Sequence, residues 1–171
     1  DEFAGEVGEM IRGFTYWMDE PSLGQMCYFT ENHQILLHVA ELLGGQLYPD
    51  ELFTNRNKPG RWHYEHAIPF IERWLDWRIR FGFSEWNSNG YFDEDLLALV
   101  NLVDYSDIPV FRQKATMLID VMLFEMAVHS HDGIFGSTHG RAYARHIIHP
   151  DRESTSPLGY LLWGKGSLRG T

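Results

Sequence analysis

Apolar residues recur at spacings of three and four along most of this chain, which is the period of an amphipathic α-helix. Alternating strand patterns are weak throughout. Six helices follow: helix A from Phe3 to Met18, ending near Pro21; helix B from about Thr30 until Gly44-Gly45 and Pro49 stop it; helix C from about Trp62 to Phe81; helix D from Asp93; helix E from Pro109; and a shorter helix F from about Arg141 to His149. The sequence therefore predicts an all-α fold.

Several residues support these boundaries through their positional preferences. Thr30 is a suitable N-cap for helix B. Acidic residues at 93–95 open helix D, where the positive end of the helix dipole favours them. Pro69 is expected to kink helix C or to mark its first turn. Residues 1–150 are predicted to form one helical-hairpin domain, and residues 151–171, rich in Ser, Gly and Pro, an irregular tail.

Short connections between consecutive helices usually join antiparallel neighbours. The A–B, C–D and E–F loops should then lie at one end of the array, and the B–C and D–E loops at the other. The first three loops contain most of the unusual polar and aromatic residues: YFTENH at 28–33, GFSEWNSNGY at 82–91, and HSHDGIFGSTHGR at 129–141. Because rigid scaffolds often carry functional groups on loops, we expect Asn32, Glu85 and His139 around one cleft, with Asn57 and Asp107 at the opposite end.

Composition narrows the functional classes. The formal net charge of −10 argues against nucleic acid as a partner, since binding to phosphates needs a surplus of Lys and Arg. The single cysteine, Cys27, excludes an internal disulfide framework. No apolar run approaches the roughly 20 residues of a membrane-spanning helix. Aromatic residues make up 15% of the chain, which suits stacking on sugar rings or flat ligands as well as a large core.

Three short segments carry a resemblance to known proteins: ENHQILL at 31–37, GFSEWNS at 82–88 and THGRAY at 138–143. Together they resemble a bacterial group of (α/α)-toroid proteins, whose relatives include polysaccharide lyases and six-hairpin glycosidases. The resemblance implies antiparallel helical hairpins in a toroid-like array, or part of one, acting on carbohydrate. At Asn32-His33 it resembles the lyase arrangement, in which Asn helps to hold the uronate carboxylate and His works near C5. Tyr91, Tyr143 and Arg141 are candidates for the Tyr and Arg that lyases also use.

The chemistry of β-elimination at a 4-linked uronate gives these residues separate tasks. The substrate carboxylate must be neutralised, which Asn32 or Arg141 can do, the latter through a bidentate fork. A base must take the C5 proton and an acid must protonate the leaving oxygen. Imidazole titrates near neutral pH, and a phenol serves as base or acid where a nearby cation lowers its pKa. The candidates are His33, His139, Tyr91 and Tyr143. This scheme requires no metal or other cofactor.

Two other functions stay open. Glycoside hydrolysis needs two carboxyl groups at a fixed separation, and Glu85 with Glu31 or Asp132 supplies such a pair. A non-catalytic glycan-binding or scaffold module would use the aromatic residues without titrating groups. For a sugar ligand in any of these functions, the predicted contacts are Trp86, Asn87, Asn89, Glu31 and Asp132.

Metal binding and assembly complete the expectations. His129, His131, Asp132 and His139 could coordinate a divalent ion, but a His-x-His pair without helical spacing is common by chance, so we assign no metal. A complete toroid has about twice as many helices as this chain. We therefore expect either the remainder of a larger chain or self-association to cover apolar helix faces.

Overall fold

The computed structural model describes residues 2–21, 26–166 and 168. Within these residues, the helices are α1 (Glu2–Gly13), α2 (Glu31–Leu47), α3 (Gly60–Phe81), α4 (Phe92–Tyr105), α5 (Pro109–Val128), α6 (Ala144–Ile148) and α7 (Ser156–Trp163). Two-residue strands form two antiparallel hairpins, β1 (Leu52–Phe53) with β2 (Lys58–Pro59) and β3 (Ser130–His131) with β4 (Ile134–Phe135), and Pro150–Arg152 is a 3-10 turn. The prediction of an all-α fold is confirmed.

The core lies among the four long helices. Helix α2 packs against α3 and α4, and α5 packs against the same two helices. Each helix contributes fully buried apolar side chains at the predicted spacing, among them Ile35, Ile71, Leu99 and Met122. The helix period of the sequence therefore identifies the buried faces of α2, α3 and α5, whereas Leu97 and Val100, which were predicted on the apolar face of helix D, are 60% and 44% exposed.

Helices α2 and α3 form an antiparallel pair that two glycines bring close together. A Cβ at Gly45, near the end of α2, would lie only 2.5 Å from the carbonyl oxygen of Gly60 at the start of α3. At the other end of the pair, the Trp74 indole donates to the carbonyl oxygen of Glu31 over 3.0 Å. The expectation that Gly44-Gly45 ends helix B was wrong, because the two glycines are buried inside α2 and permit this approach.

The loops alternate between the two ends of the array as predicted. Gln46, near the end of α2, accepts a hydrogen bond from the Asp107 backbone amide at 3.0 Å. Asn57 lies in the β1–β2 hairpin, between the end of α2 and the start of α3. At the opposite end, Phe92 of α4 and Phe135 after α5 pack with ring centroids 5.8 Å apart. The placement of the polar loops at one end, opposite Asn57 and Asp107, is confirmed.

The first helix was predicted too long. Helix α1 ends at Gly13, and the aromatic residues that follow form an irregular segment rather than another helical turn. The reason is Glu20, whose Oε1 accepts the backbone amides of Tyr16 at 2.7 Å and Trp17 at 3.2 Å, so these amides bond to a side chain instead of to helical carbonyls. Pro69 lies well inside α3 and does not mark its first turn.

The C-terminal part is more ordered than expected. Helix F is only the five-residue α6, and the region predicted as an irregular tail contains the 3-10 turn and α7. Asp132 and Gly133, with φ of +49° and +83°, form the tight turn of the β3–β4 hairpin. Positive φ at both central residues is the requirement of a type I′ turn, for which Asp-Gly is a favoured pair.

Apolar side chains remain exposed on α5 at helical spacing: Met117, Val121, Phe124 and Val128. An exposed apolar stripe of this kind suits a protein–protein contact. The expectation that self-association or the remainder of a larger chain covers apolar helix faces stays a prediction. Among the described residues, no helix is both long enough and apolar enough to cross a membrane.

Candidate functional site

Glu31, the first residue of α2, holds the 82–91 loop against the helix. Its buried carboxylate accepts hydrogen bonds from the Ser84 hydroxyl and the Glu85 amide, both at 2.7 Å, and from the Ser84 amide at 3.1 Å. It also forms a buried ion pair with Arg78, from the last turn of α3. These contacts make Glu31 part of the scaffold that positions Glu85.

Two buried asparagines join the polar loops to the helices. The Asn32 side-chain amide donates to Glu94 in the first turn of α4, and Asn32 has no exposed surface. Asn89, also fully buried, donates from its side chain to the carbonyl oxygen of His146 at 3.3 Å. The Oδ1 atoms of both side chains have no hydrogen-bond partner in the described part of the chain. Both asparagines thus lie beneath the loop surface.

Arg141 is the centre of the site. Its Nη1 donates to Glu85 Oε1 at 2.9 Å, while Nε and Nη2 donate to the Tyr143 hydroxyl at 3.3 and 3.1 Å. The guanidinium carbon lies 3.9 Å from the centroid of the Tyr91 ring, a cation–π contact. Because Glu85 and Tyr91 come from the 82–91 loop, Arg141 and Tyr143 bring the 129–143 segment onto it. The structure thus brings together four of the residues that the sequence analysis selected.

The two tyrosines of this group differ in acidity. A hydrogen bond from Tyr91, followed by the hydrogen bonds and charge of Arg141, lowers the pKa of Tyr143. Burial, and then the hydrogen bond to Tyr143, raises the pKa of Tyr91 to about 12. The Tyr143 side chain is 48% exposed. The site therefore contains an accessible phenol that ionises more readily than a free tyrosine, beside a phenol that ionises less readily.

Two histidines flank this group. His139 Nδ1 bonds to the Ser137 carbonyl oxygen at 2.6 Å, which places the proton on Nδ1, and the buried Nε2 has no partner among the described residues. Its ring lies 6.5 Å from that of His146, which is fully buried and 3.2 Å from Glu153. Burial lowers the pKa of His146. His146 was absent from the predicted site residues because helix F was drawn only from its apolar positions.

Asp95 is a second residue that the sequence reasoning missed. It was interpreted only as a charge favoured by the helix dipole, yet its side chain has no exposed surface. Neither carboxyl oxygen has a hydrogen-bond partner within the described residues. Burial, and then the nearby charges of Glu31 and Glu85, raises the pKa of Asp95 well above its usual range. Asp95 is therefore a buried, protonated carboxylic acid near the ionic contacts of Glu85.

The remaining predicted residues lie around this centre or apart from it. His33 is at the start of α2, where Nδ1 bonds to the Thr30 hydroxyl. Trp86 is 46% exposed, and its carbonyl oxygen accepts the Gly140 amide at 2.8 Å. Asn87 has a left-handed φ of +51°, which Asn adopts more readily than most residues. Asp132 is exposed in the β3–β4 turn, apart from the contacts of Arg141.

Two open clefts lie near this group, and neither is lined by Glu85, Tyr91, Arg141 or Tyr143. One, of about 460 Å³, is lined by Gly90, Asp93, Glu94, Arg145, His149, Arg152, Glu153 and Ser154. The other, of about 440 Å³, lies beside α2 and α3 and is lined by Trp17, Gln34, His38, Phe70, Arg73, Trp74, Trp77 and Arg78. The second cleft reaches the site through Arg78, which pairs with Glu31. The second cleft therefore combines aromatic rings with the side chains of two arginines.

The histidines considered for a metal in the sequence analysis are dispersed. His129 Nδ1 is bonded to the Glu125 carbonyl oxygen and His131 is exposed in the hairpin. In the described part of the chain, the donors that lie close enough to share an ion are instead Glu20, Glu41 and His63, all of them buried. This second cluster lies between α2, α3 and the irregular segment after α1.

No family model, curated protein or solved structure matches this chain. Its function must therefore be argued from the site itself. The likeness to (α/α)-toroid proteins stays a prediction from three sequence segments.

Proposed function

We propose that this chain acts as a polysaccharide lyase-like protein, catalysing β-elimination on a uronate-containing glycan. One observation carries the proposal: the hydroxyl of the exposed Tyr143 accepts two hydrogen bonds from Arg141, and the pKa of Tyr143 is lowered. A phenol whose pKa is lowered by a neighbouring cation is a stronger candidate for a general base than an ordinary tyrosine, and abstraction of a carbon-bound proton needs such a base. The arginine that lowers the pKa is itself oriented by Glu85.

The two tyrosines fit the two proton transfers of the reaction. Tyr143, as the phenolate, takes the C5 proton of the uronate. The electron pair of that bond forms the C4–C5 double bond while the C4–O bond breaks, and the leaving oxygen must gain a proton. Tyr91, whose pKa is raised to about 12, keeps its proton at neutral pH and donates it. His139 is the alternative base, because its Nε2 has no hydrogen-bond partner among the described residues, and it ranks behind Tyr143 because this atom is buried.

The 460 Å³ cleft supplies arginines for an anionic substrate, although its charge is mixed. Arg145 and Arg152 line it together with the carboxylates of Asp93, Glu94 and Glu153, and Gly90, one residue before Tyr91, lies there as well. The Arg145 side chain is 74% exposed and 3.9 Å from Glu153. We assign Arg145 the task of holding the substrate carboxylate, since Arg141 is already engaged by Glu85 and Tyr143. An Arg145→Gln variant should then raise KM about tenfold or more, which corresponds to roughly 1.4 kcal/mol.

The test uses a panel of uronate polymers with two readouts, ultraviolet absorbance of the unsaturated product and appearance of reducing ends. A lyase raises both signals together. Arg61→Gln is the matched control for Arg145→Gln, because Arg61 is an exposed arginine paired with Asp50 at the opposite end of the array. Turnover without an unsaturated product, or an equal effect of the two arginine variants, would contradict the proposal.

Two carboxyl groups in different environments, those of Asp95 and Glu85, favour a second candidate function, glycoside hydrolysis. Asp95 has a raised pKa and so suits a general acid, whereas Glu85 is paired with Arg141. Carboxyl groups held in different environments are typical of glycosidases. We rank this candidate second because Asp95 has no exposed surface, while Tyr143 is open to substrate. Hydrolysis would produce reducing ends with no rise in ultraviolet absorbance.

A further inference from the structure

A second cluster of ionisable side chains lies away from the proposed catalytic site. Glu41 of α2 is completely buried, and the Nδ1 atom of His63, in α3, donates a hydrogen bond to Glu41 Oε1 at 2.8 Å. His66, one turn further along α3, contacts the same oxygen at 2.9 Å. Glu20, from the irregular segment after α1, reaches the same place, so that one ligand atom from each of Glu20, Glu41 and His63 lies within 4.8 Å of the others.

Two buried atoms in this cluster face each other without a hydrogen bond. Glu41 Oε2 and His38 Nδ1 lie 3.7 Å apart, and neither has a hydrogen-bond partner in the described residues. The relative exposures of the two residues are 0% and 2%. Leaving such buried atoms unpaired destabilises the folded protein. A tetrahedral ion with bonds of about 2.1 Å holds its ligands about 3.4 Å apart, which is within the 4.8 Å that encloses the ligand atoms of Glu20, Glu41 and His63.

The charges also suit a divalent cation. Glu20 and Glu41 bring two carboxylates into a buried space whose other polar side chains include imidazoles. A doubly positive ion would neutralise both carboxylates without burying a net charge.

The surroundings have the features of a structural metal site. His63 stacks on Phe53 with centroids 4.5 Å apart, and His38 stacks on Phe70 at 4.4 Å, so apolar rings fix both imidazoles. His66 Nε2 lies 3.2 Å from Asp19, and its Nδ1 contacts Glu41. The His66 imidazole therefore bridges two carboxylates. Residues that hydrogen-bond to the ligands of a metal ion orient those ligands and tune the affinity for the metal.

We propose that Glu20, Glu41 and His63 bind a divalent transition-metal ion of the Zn²⁺ type beside His38, whose Nδ1 lies 3.7 Å from Glu41 Oε2. The ion would join the segment after α1 to the α2–α3 pair. Mixed imidazole and carboxylate ligands favour Zn²⁺ and similar ions over Mg²⁺ or Ca²⁺. Burial of all the ligands indicates a structural role rather than a catalytic one.

The test is a titration of chelator-treated protein with Zn²⁺ by calorimetry, accompanied by thermal melts. We expect one ion per chain and a melting temperature that rises with Zn²⁺. Glu41→Gln should weaken binding at least 100-fold. If that variant does not fold, as judged by far-ultraviolet circular dichroism, Glu20→Gln supplies the test with an expected loss of at least 10-fold.

A matched control uses the exposed histidines of the 129–131 segment. The His129→Asn/His131→Asn double variant should bind Zn²⁺ as tightly as the unchanged protein. X-ray absorption of the Zn²⁺ complex should show only N and O neighbours at about 2.0–2.1 Å. Failure of the folded protein to bind Zn²⁺, binding that survives Glu41→Gln, loss of binding in the histidine double variant, or a sulfur neighbour from Cys27 would each overturn the proposal.

Discussion

The role of Glu31 as the anchor of the 82–91 loop gives a strong test of the fold. In Glu31→Ala, the Arg78 guanidinium loses its buried partner, and three donors from Ser84 and Glu85 lose their acceptor. The Arg78 and Glu31 side chains are only 9% and 2% exposed. Removing one partner of a buried pair typically costs about 3–5 kcal/mol. At roughly 2–4 °C for each kcal/mol in a chain of this size, the melting temperature should fall by about 6–20 °C.

The assay compares urea unfolding and thermal melts of Glu31→Ala with those of Glu51→Ala. Glu51 also pairs with an arginine, Arg12, at 3.0 Å, but its side chain is 53% exposed. An exposed pair contributes about 1 kcal/mol or less. If Glu31→Ala cost no more than Glu51→Ala, the buried anchor would not exist and the position of Glu85 would need another explanation.

Three further predictions follow from burial and charge. Asp95→Asn should raise the free energy of unfolding by about 1–3 kcal/mol at pH 8. A raised carboxyl pKa makes the native protein lose stability as pH rises above the unfolded value, so this gain should shrink toward pH 4 in urea titrations. Gly45→Ala should destabilise the α2–α3 pair, whereas Gly5→Ala, with nothing within 4 Å of its Cβ, should stabilise α1 by roughly 0.5–1 kcal/mol in the same melts. Arg141→Gln should move the acidic limb of the pH–rate profile to higher pH, because the cation that lowers the Tyr143 pKa is lost; an unmoved limb would exclude Tyr143 as the base.

The position of the polar loops could be predicted because it depends only on helix number and loop length. Each short connection reverses the chain direction, so Glu85 and Arg141 had to lie at the same end as the start of α2. Their direct contact at 2.9 Å could not be predicted, since it depends on the path of the 129–143 segment through the β3–β4 hairpin. The Asp132-Gly133 pair was the available signal for that hairpin.

The sequence analysis missed several polar residues because the helical period predicts which positions are buried but not which buried polar side chains contact one another. His38 and Glu41, like His63 and His66, are three residues apart and so share a helix face. That spacing could have suggested a polar cluster between two helices. Glu20 could not have been added to this cluster from the sequence, because the pattern predicted a helix A that continues to Met18. In the structure that helix ends earlier, and Glu20 accepts the backbone amides of Tyr16 and Trp17 in the irregular segment that follows it.

The measurement that tests the proposed function most directly is the initial rate of unsaturated product formation by Tyr143→Phe. The control is Tyr105→Phe, which removes the hydroxyl of a tyrosine that is 64% exposed at the opposite end of the array. Loss of a general base typically lowers the rate by about 10²–10⁴. We predict that Tyr143→Phe loses at least 100-fold on a uronate polymer while Tyr105→Phe keeps the rate of the unchanged protein. Equal rates for the two variants would contradict the account.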